Sequence, residues 1–160
     1  MKRLMVAMVF VSALPGWLCS LPAIGADNAV VEVSNAWVRS TVPGQPVAGA
    51  YMDLRAARTA RLVGVSSPIS SRGEIHEMKE EDGMMKMRAV NAVELPAGKT
   101  VSLGPGGLHV MLFGIKAPLA EGTMVALTLR FERASGTSFS RVIRVPVKSA
   151  EDAPGHGHDK

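Results

Sequence analysis

Short apolar runs alternate with polar positions along most of this chain, and turn-forming residues separate them. Val30, Val31, Val33 and Val38 mark a first run over 29–38, with Trp37 near its end. Further runs cover 49–54, Ala60–Ser66, 74–79, Met84–Val90, Thr100–Leu103, Leu108–Phe113, 124–131 and 138–147. Between them lie Pro43-Gly44, Pro96-Ala97-Gly98 and Gly104-Pro105-Gly106-Gly107, sequences that favour turns over long helices. The stretch 123–130 has some helical spacing, but its Thr and Val residues favour a strand. Segments of four to ten residues at this spacing predict an all-β domain, an antiparallel sandwich or small barrel. No internal repeat or linker divides it.

The N-terminus follows a different pattern. Lys2 and Arg3 precede an apolar run to about Leu21, and small residues lead to Ala26 and Asp27. Charge, apolar core and small residues in that order predict a cleaved secretory signal over 1–26 and export to the periplasm. Pro15 and Gly16 interrupt the run, which is of marginal length for a membrane span, so no stable membrane insertion is expected. Gly16, Trp17 and Leu18 before Cys19 fit a lipidation signal poorly. Cleavage after Ala26 leaves a domain over 27–148 and a polar tail over 149–160.

Cleavage also changes the composition. Removing Lys2 and Arg3 lowers the formal charge from +4 to +2, which weakens the argument from the basic pI of 9.6 for a nucleic-acid partner. Aromatic residues make up only 4% of the chain, too few for a base-stacking surface. Cys19, the one cysteine, leaves with the signal. Thiol chemistry, disulfides, iron–sulfur clusters and a thiolate-dependent blue-copper electron carrier are therefore excluded from the mature protein. No Ser/His/Asp arrangement points to an enzyme.

The candidate chemistry lies in His and Met. His76-Glu77-Met78 and His109-Val110-Met111 each place an imidazole and a thioether two residues apart, on one face of a strand. If Lys79 and Met84 close a four-residue loop, His76 faces Met87 and Met78 faces Met85. A tighter Asp82-Gly83 turn instead makes His76 and Met87 diagonal neighbours. Either register keeps these side chains on one face. Two imidazoles with two or three neutral thioethers favour Cu(I) over Zn(II), Mg(II) or Ca(II). Met52, Met84 and Met124 are expected to pack, and Glu80-Glu81-Asp82 to form a solvated turn. His156 and His158 in the tail form a weak secondary site that can take Cu(II), Ni(II) or Zn(II).

His76, ten residues, Met87, twenty-one residues, then His109-Val110-Met111 resembles the signature of the PCuAC family of periplasmic copper chaperones. Asn35-Ala36-Trp37-Val38-Arg39, Glu74-Ile75-His76-Glu77-Met78, Pro96-Ala97-Gly98 and Gly104–Leu112 resemble it too, and the similarity spans about 29–147. The resemblance implies a cupredoxin-like β-sandwich with one Cu(I) held by His76, Met87, His109 and Met111. Met78 and Met85 would flank those ligands or join them transiently, and Cu(II) would be the ion at His156 and His158. It implies delivery by ligand exchange to the binuclear copper centre of cytochrome c oxidase subunit II, or to its assembly factors. Copper storage for resistance is the alternative. A monomer is the default state, and a metal-bridged dimer is conceivable at an exposed site.

Overall fold

The computed structural model describes residues 31–149 and Glu151. The expected signal, Cys19, His156 and His158 lie outside the described residues. The described residues form ten strands in order: β1 (Val31–Arg39), β2 (Val47–Ala56), β3 (Ala60–Ser66), β4 (Arg72–Glu81), β5 (Met84–Val90), β6 (Val93–Leu95), β7 (Thr100–Leu103), β8 (Leu108–Phe113), β9 (Met124–Arg133) and β10 (Ser138–Lys148). Among the described residues no helix is long and apolar enough to cross a membrane.

The strands pair in the order β5-β4-β8-β2-β1-β10-β9-β3-β6, with β7 joined to β2. All pairings are antiparallel except β1 with β10. The two ends of this ribbon of strands share one core, giving the expected all-β, cupredoxin-like sandwich. Strand β9 shows how the sequence specifies it: Val125, Leu127, Leu129 and Phe131 alternate with more accessible neighbours, and all four are buried. The Phe131 ring stacks on Phe139 at 5.2 Å between centroids. Each such side chain contributes roughly 1.5–3 kcal/mol on burial. Gly73 brings β4 against β3, because a Cβ there would collide with the Val65 carbonyl.

One irregularity in β1 decides what its second half presents. Ser34 lies opposite Asp53 and Trp37 opposite Tyr51, so Asn35 and Ala36 together face Met52. Such a bulge shifts the alternation by one residue. Val31 before it and Val38 after it both enter the core, although their spacing is odd. Trp37 and Arg39 are thereby turned to the opposite face, where Trp37 packs on Tyr51 at 4.5 Å. Asn35 occupies the bulge at φ +50°, a conformation Asn tolerates better than most residues, and its amide donates to Asp53 Oδ2 at 2.7 Å.

Three expectations need correction. Val93–Leu95 forms an additional strand opposite 60–62 of β3, burying Val93 and Leu95 and exposing Glu94. Met52 is buried as expected, but Met84 and Met124 stand in solvent, because β5 is an edge strand and Met124 opens β9. The acidic run is not a loop: Glu80 and Glu81 belong to β4, and the turn is Asp82-Gly83 alone. Both turn residues have positive φ, at +55° and +74°, matching the two-residue turn that suits twisted antiparallel strands.

Candidate metal centre

The short turn fixes the register of the β4–β5 hairpin. Met78 lies opposite Met87 and His76 opposite Ala89, so His76 and Met87 are diagonal, not facing. The four-residue loop is thus replaced by the tighter alternative, and Met85 falls opposite Glu80, farther from His76. On the other side of β4, His76 lies directly opposite His109 of β8, and their ring centroids are 5.9 Å apart. Periodicity alone could not bring β8 beside β4; the sheet order does.

Strand β2 widens the site. Its first half pairs with β8, and its second half pairs with β7. The Gly104–Gly107 connection must therefore cross between these partners at the middle of β2. Beneath it lies a cavity of about 360 Å³ lined by Met78, Met87, His109 and Met111, with Tyr51 and Arg39 on its far wall. Gly49 sits opposite Met111, and a Cβ there would press into the Tyr51 phenol. Its missing side chain lets the Tyr51 ring lie along the outer face. His76 adjoins this group through His109 and Met78 rather than lining the cavity itself.

Hydrogen bonds assign a role to each imidazole nitrogen. His109 is 5% exposed, and its Nδ1 lies 2.8 Å from the Gly107 carbonyl. A carbonyl can only accept, so Nδ1 carries the proton and the neutral ring keeps its lone pair on Nε2. The same Gly107 oxygen accepts the Met78 backbone N–H at 3.1 Å, tying the crossing loop to β4. His76 Nε2 lies 2.8 Å from Glu74 Oε2, which in the neutral ring leaves Nδ1 as the lone-pair nitrogen. That Nδ1 is buried and has no hydrogen-bond partner among the described residues. The hydrogen bond from His76 holds the Glu74 carboxyl below the usual carboxylate range, and Arg72 adds to this with Nε 2.7 Å from Oε1.

An unpaired buried acceptor is costly unless something completes it. Carboxylate–imidazole and carbonyl–imidazole pairs are also the means by which metal-binding histidines are oriented. Among the described residues, no three His, Cys, Asp or Glu groups gather around a common point. Sequence reasoning missed Glu74, Gly107, Arg39 and Tyr51. Glu74 was visible two positions before His76 on the same strand face. Arg39 was hidden by the phase change at Asn35.

Solved copper-binding domains share this fold. The copper-bound PCuAC domain from PmoF2 is 28% identical, with a TM-score of 0.61, covering 76% of this chain and 96% of that one. The Cu(I) form of DR1885 from Deinococcus radiodurans is 29% identical with a TM-score of 0.57, covering 76% and 79% respectively. The resemblance to PCuAC domains therefore extends from the motif to the fold. A protein of Leifsonia xyli, "Putative lipoprotein Lxx21020", is 36% identical over 145 residues, 88% of this chain and 85% of its own length. Residues 31–147 match the family described as "Putative lipoprotein LpqE-like", and the chain belongs to that family.

Proposed function

We propose that this protein is an exported Cu(I) chaperone whose cargo is bound by His76, Met87, His109 and Met111. The observation that carries this reading is the buried, unpartnered Nδ1 of His76 opposite His109, beside the thioethers at the cavity. The donor set supplies neutral, soft ligands that suit a monovalent cuprous ion. Met78 faces Met87 across the hairpin and stands ready as a replacement thioether, while Met85 lies two pairs farther out. The similar copper-bound PmoF2 domain and Cu(I) form of DR1885 support the same cargo.

Transfer is ligand exchange. Met87, 51% exposed on the edge strand, is the ligand most open to an incoming donor group. The buried His109 is the last to leave. The acceptor is a cuproprotein, with the binuclear centre of cytochrome c oxidase subunit II as the proposed destination. Export places this exchange in the periplasm, where the mature chain begins at Asp27. The family and the Leifsonia xyli relative are both named as putative lipoproteins, so intact mass is the deciding measurement for the N-terminus. A lipid-modified Cys19 would put the protein on the membrane face instead.

The test is anaerobic Cu(I) competition against a chromophoric chelator, followed by transfer to an oxidase subunit II domain. One tight Cu(I) per chain is expected. His109→Ala should weaken binding by more than the roughly 10–100-fold typical of losing a supporting contact. Unchanged affinity in that variant would remove the site assignment. Tight binding without transfer would favour storage over delivery.

A further inference from the structure

The cavity wall opposite the thioethers carries Arg39, turned there by the β1 bulge. Its guanidinium carbon lies 5.7 Å from the centre of the Tyr51 ring. Its Nε is buried and has no hydrogen-bond partner among the described residues. Among the described residues, no Asp or Glu lines the cavity. A permanently charged donor with an unmet hydrogen bond therefore faces a space walled by neutral groups. If Cu(I) is bound there by imidazole and thioether, as proposed above, its own positive charge is also left uncompensated. Two like charges around one partly dry cavity repel each other, and an anion between them relieves both.

We propose that Arg39 is the binding position for a carboxylate that enters the cavity together with Cu(I). Guanidinium and carboxylate match in shape and charge, and the open side of the cavity admits such a group. The coupling is mutual: a carboxylate on Arg39 tightens Cu(I), and Cu(I) tightens the carboxylate. An acceptor with an acidic side chain beside its copper ligands would thus be recognised as it arrives, and withdrawing that side chain would loosen the ion. The chain's own acidic residues are a second source of the same chemistry. Arg39 pairs in register with Lys148, and Glu151, Asp152 and Asp159 follow it in the sequence.

Acetate is the probe. In the metal-free protein, titration with sodium acetate, balanced by sodium perchlorate at constant ionic strength, should shift the Arg39 Nε–H resonance. In chelator competition, acetate should tighten Cu(I) severalfold. Arg39→Gln should lose both responses and, in perchlorate, should hold Cu(I) more tightly than the parent because a repulsive charge is gone. A merely structural arginine would give the opposite sign. Arg39→Lys should keep part of the acetate response, and Trp37 fluorescence checks that each variant is folded. Neutralising the tail with Glu151→Gln, Asp152→Asn and Asp159→Asn separates the sources: a larger acetate response means the tail had been occupying Arg39, and an equal one leaves the carboxylate to the partner. An unshifted Arg39 resonance, an acetate response retained in Arg39→Gln, or weaker Cu(I) binding by that variant in perchlorate would overturn the proposal. Loss of tight Cu(I) binding by the parent would instead remove the chaperone reading, and the metal-free titration would still judge the anion site.

Discussion

The β9–β10 pair and the β4–β5 pair are both antiparallel ribbons joined by short turns, yet they use their apolar residues in opposite ways. Strand β9 sends Val125, Leu127, Leu129 and Phe131 into the core. Strand β5 leaves Met84, Met85 and Met87 in solvent at 62%, 54% and 51% exposure. Stiff, branched or aromatic side chains fill the first region, and unbranched thioethers occupy the second. Met85 and Met87 share one face of the hairpin; on the other, beside Met84, Glu81 lies between Lys86 and Arg88. Exposed ion pairs of this kind each stabilise by only about 0–1 kcal/mol. A ribbon with little buried area and exposed ladder bonds opens more readily than the core. The comparison separates a half built for stability from a hairpin whose methionines are free for chemistry.

Two methionines give the most direct test of this separation. Met52 is 1% exposed and Met87 is 51% exposed. Met52→Ala should lower unfolding free energy by about 2–5 kcal/mol, the usual cost of emptying a core site. Met87→Ala should stay within about 0.5 kcal/mol of the parent, as for other surface changes. Cu(I) affinity should rank the variants in reverse, with Met87→Ala weakened and folded Met52→Ala near the parent. Urea denaturation beside chelator competition reads both scales. Equal stability losses would erase the contrast between the regions.

The same contrast explains what was legible in the sequence. Most strands were, because period-two alternation against one core is a strong local signal. The Val93–Leu95 strand alternates too, but three residues before Pro96 are too few to stand out. Met84 and Met124 were expected inside because hydrophobicity does not tell an edge strand from a central one. The candidate site was legible as a set of residues on one face. Its assembly was not, since His76 meets His109 only through the β4–β8 pairing. Arg39 depended on a bulge whose one sequence sign is the odd spacing between Val33 and Val38.

The turn offers a smaller perturbation, confined to the hairpin. A Cβ at Gly83 would meet nothing within 4 Å, but its φ of +74° penalises any L side chain. Gly83→Ala should therefore cost about 1 kcal/mol through the backbone alone. The loss should show as faster amide exchange in β4 and β5, with β9 and β10 protected as before. Uniformly faster exchange would mean that the hairpin and the core open as one unit.

Asp53, on β2 and outside both regions, supplies the smallest effect. Hydrogen bonds from Ser102, and then Asn35, hold its carboxyl below the usual value, against a minor upward push from burial. A carboxylate depressed in the folded state stabilises the fold above its unfolded pKa, about 3.9. That contribution is lost as pH falls below this value and through the lower folded pKa. Asp53→Asn should cost only about 0.5 kcal/mol at pH 7, because both donors are near the surface. It should also flatten the fall in stability below pH 4. Asn35 forms the bulge that sets the direction of Trp37, so acid should alter Trp37 fluorescence in the parent before the core unfolds, and later in the variant. Coincident fluorescence and unfolding transitions in both proteins would show instead that the bulge is held by the core packing of Val31 and Val38, without help from Asp53.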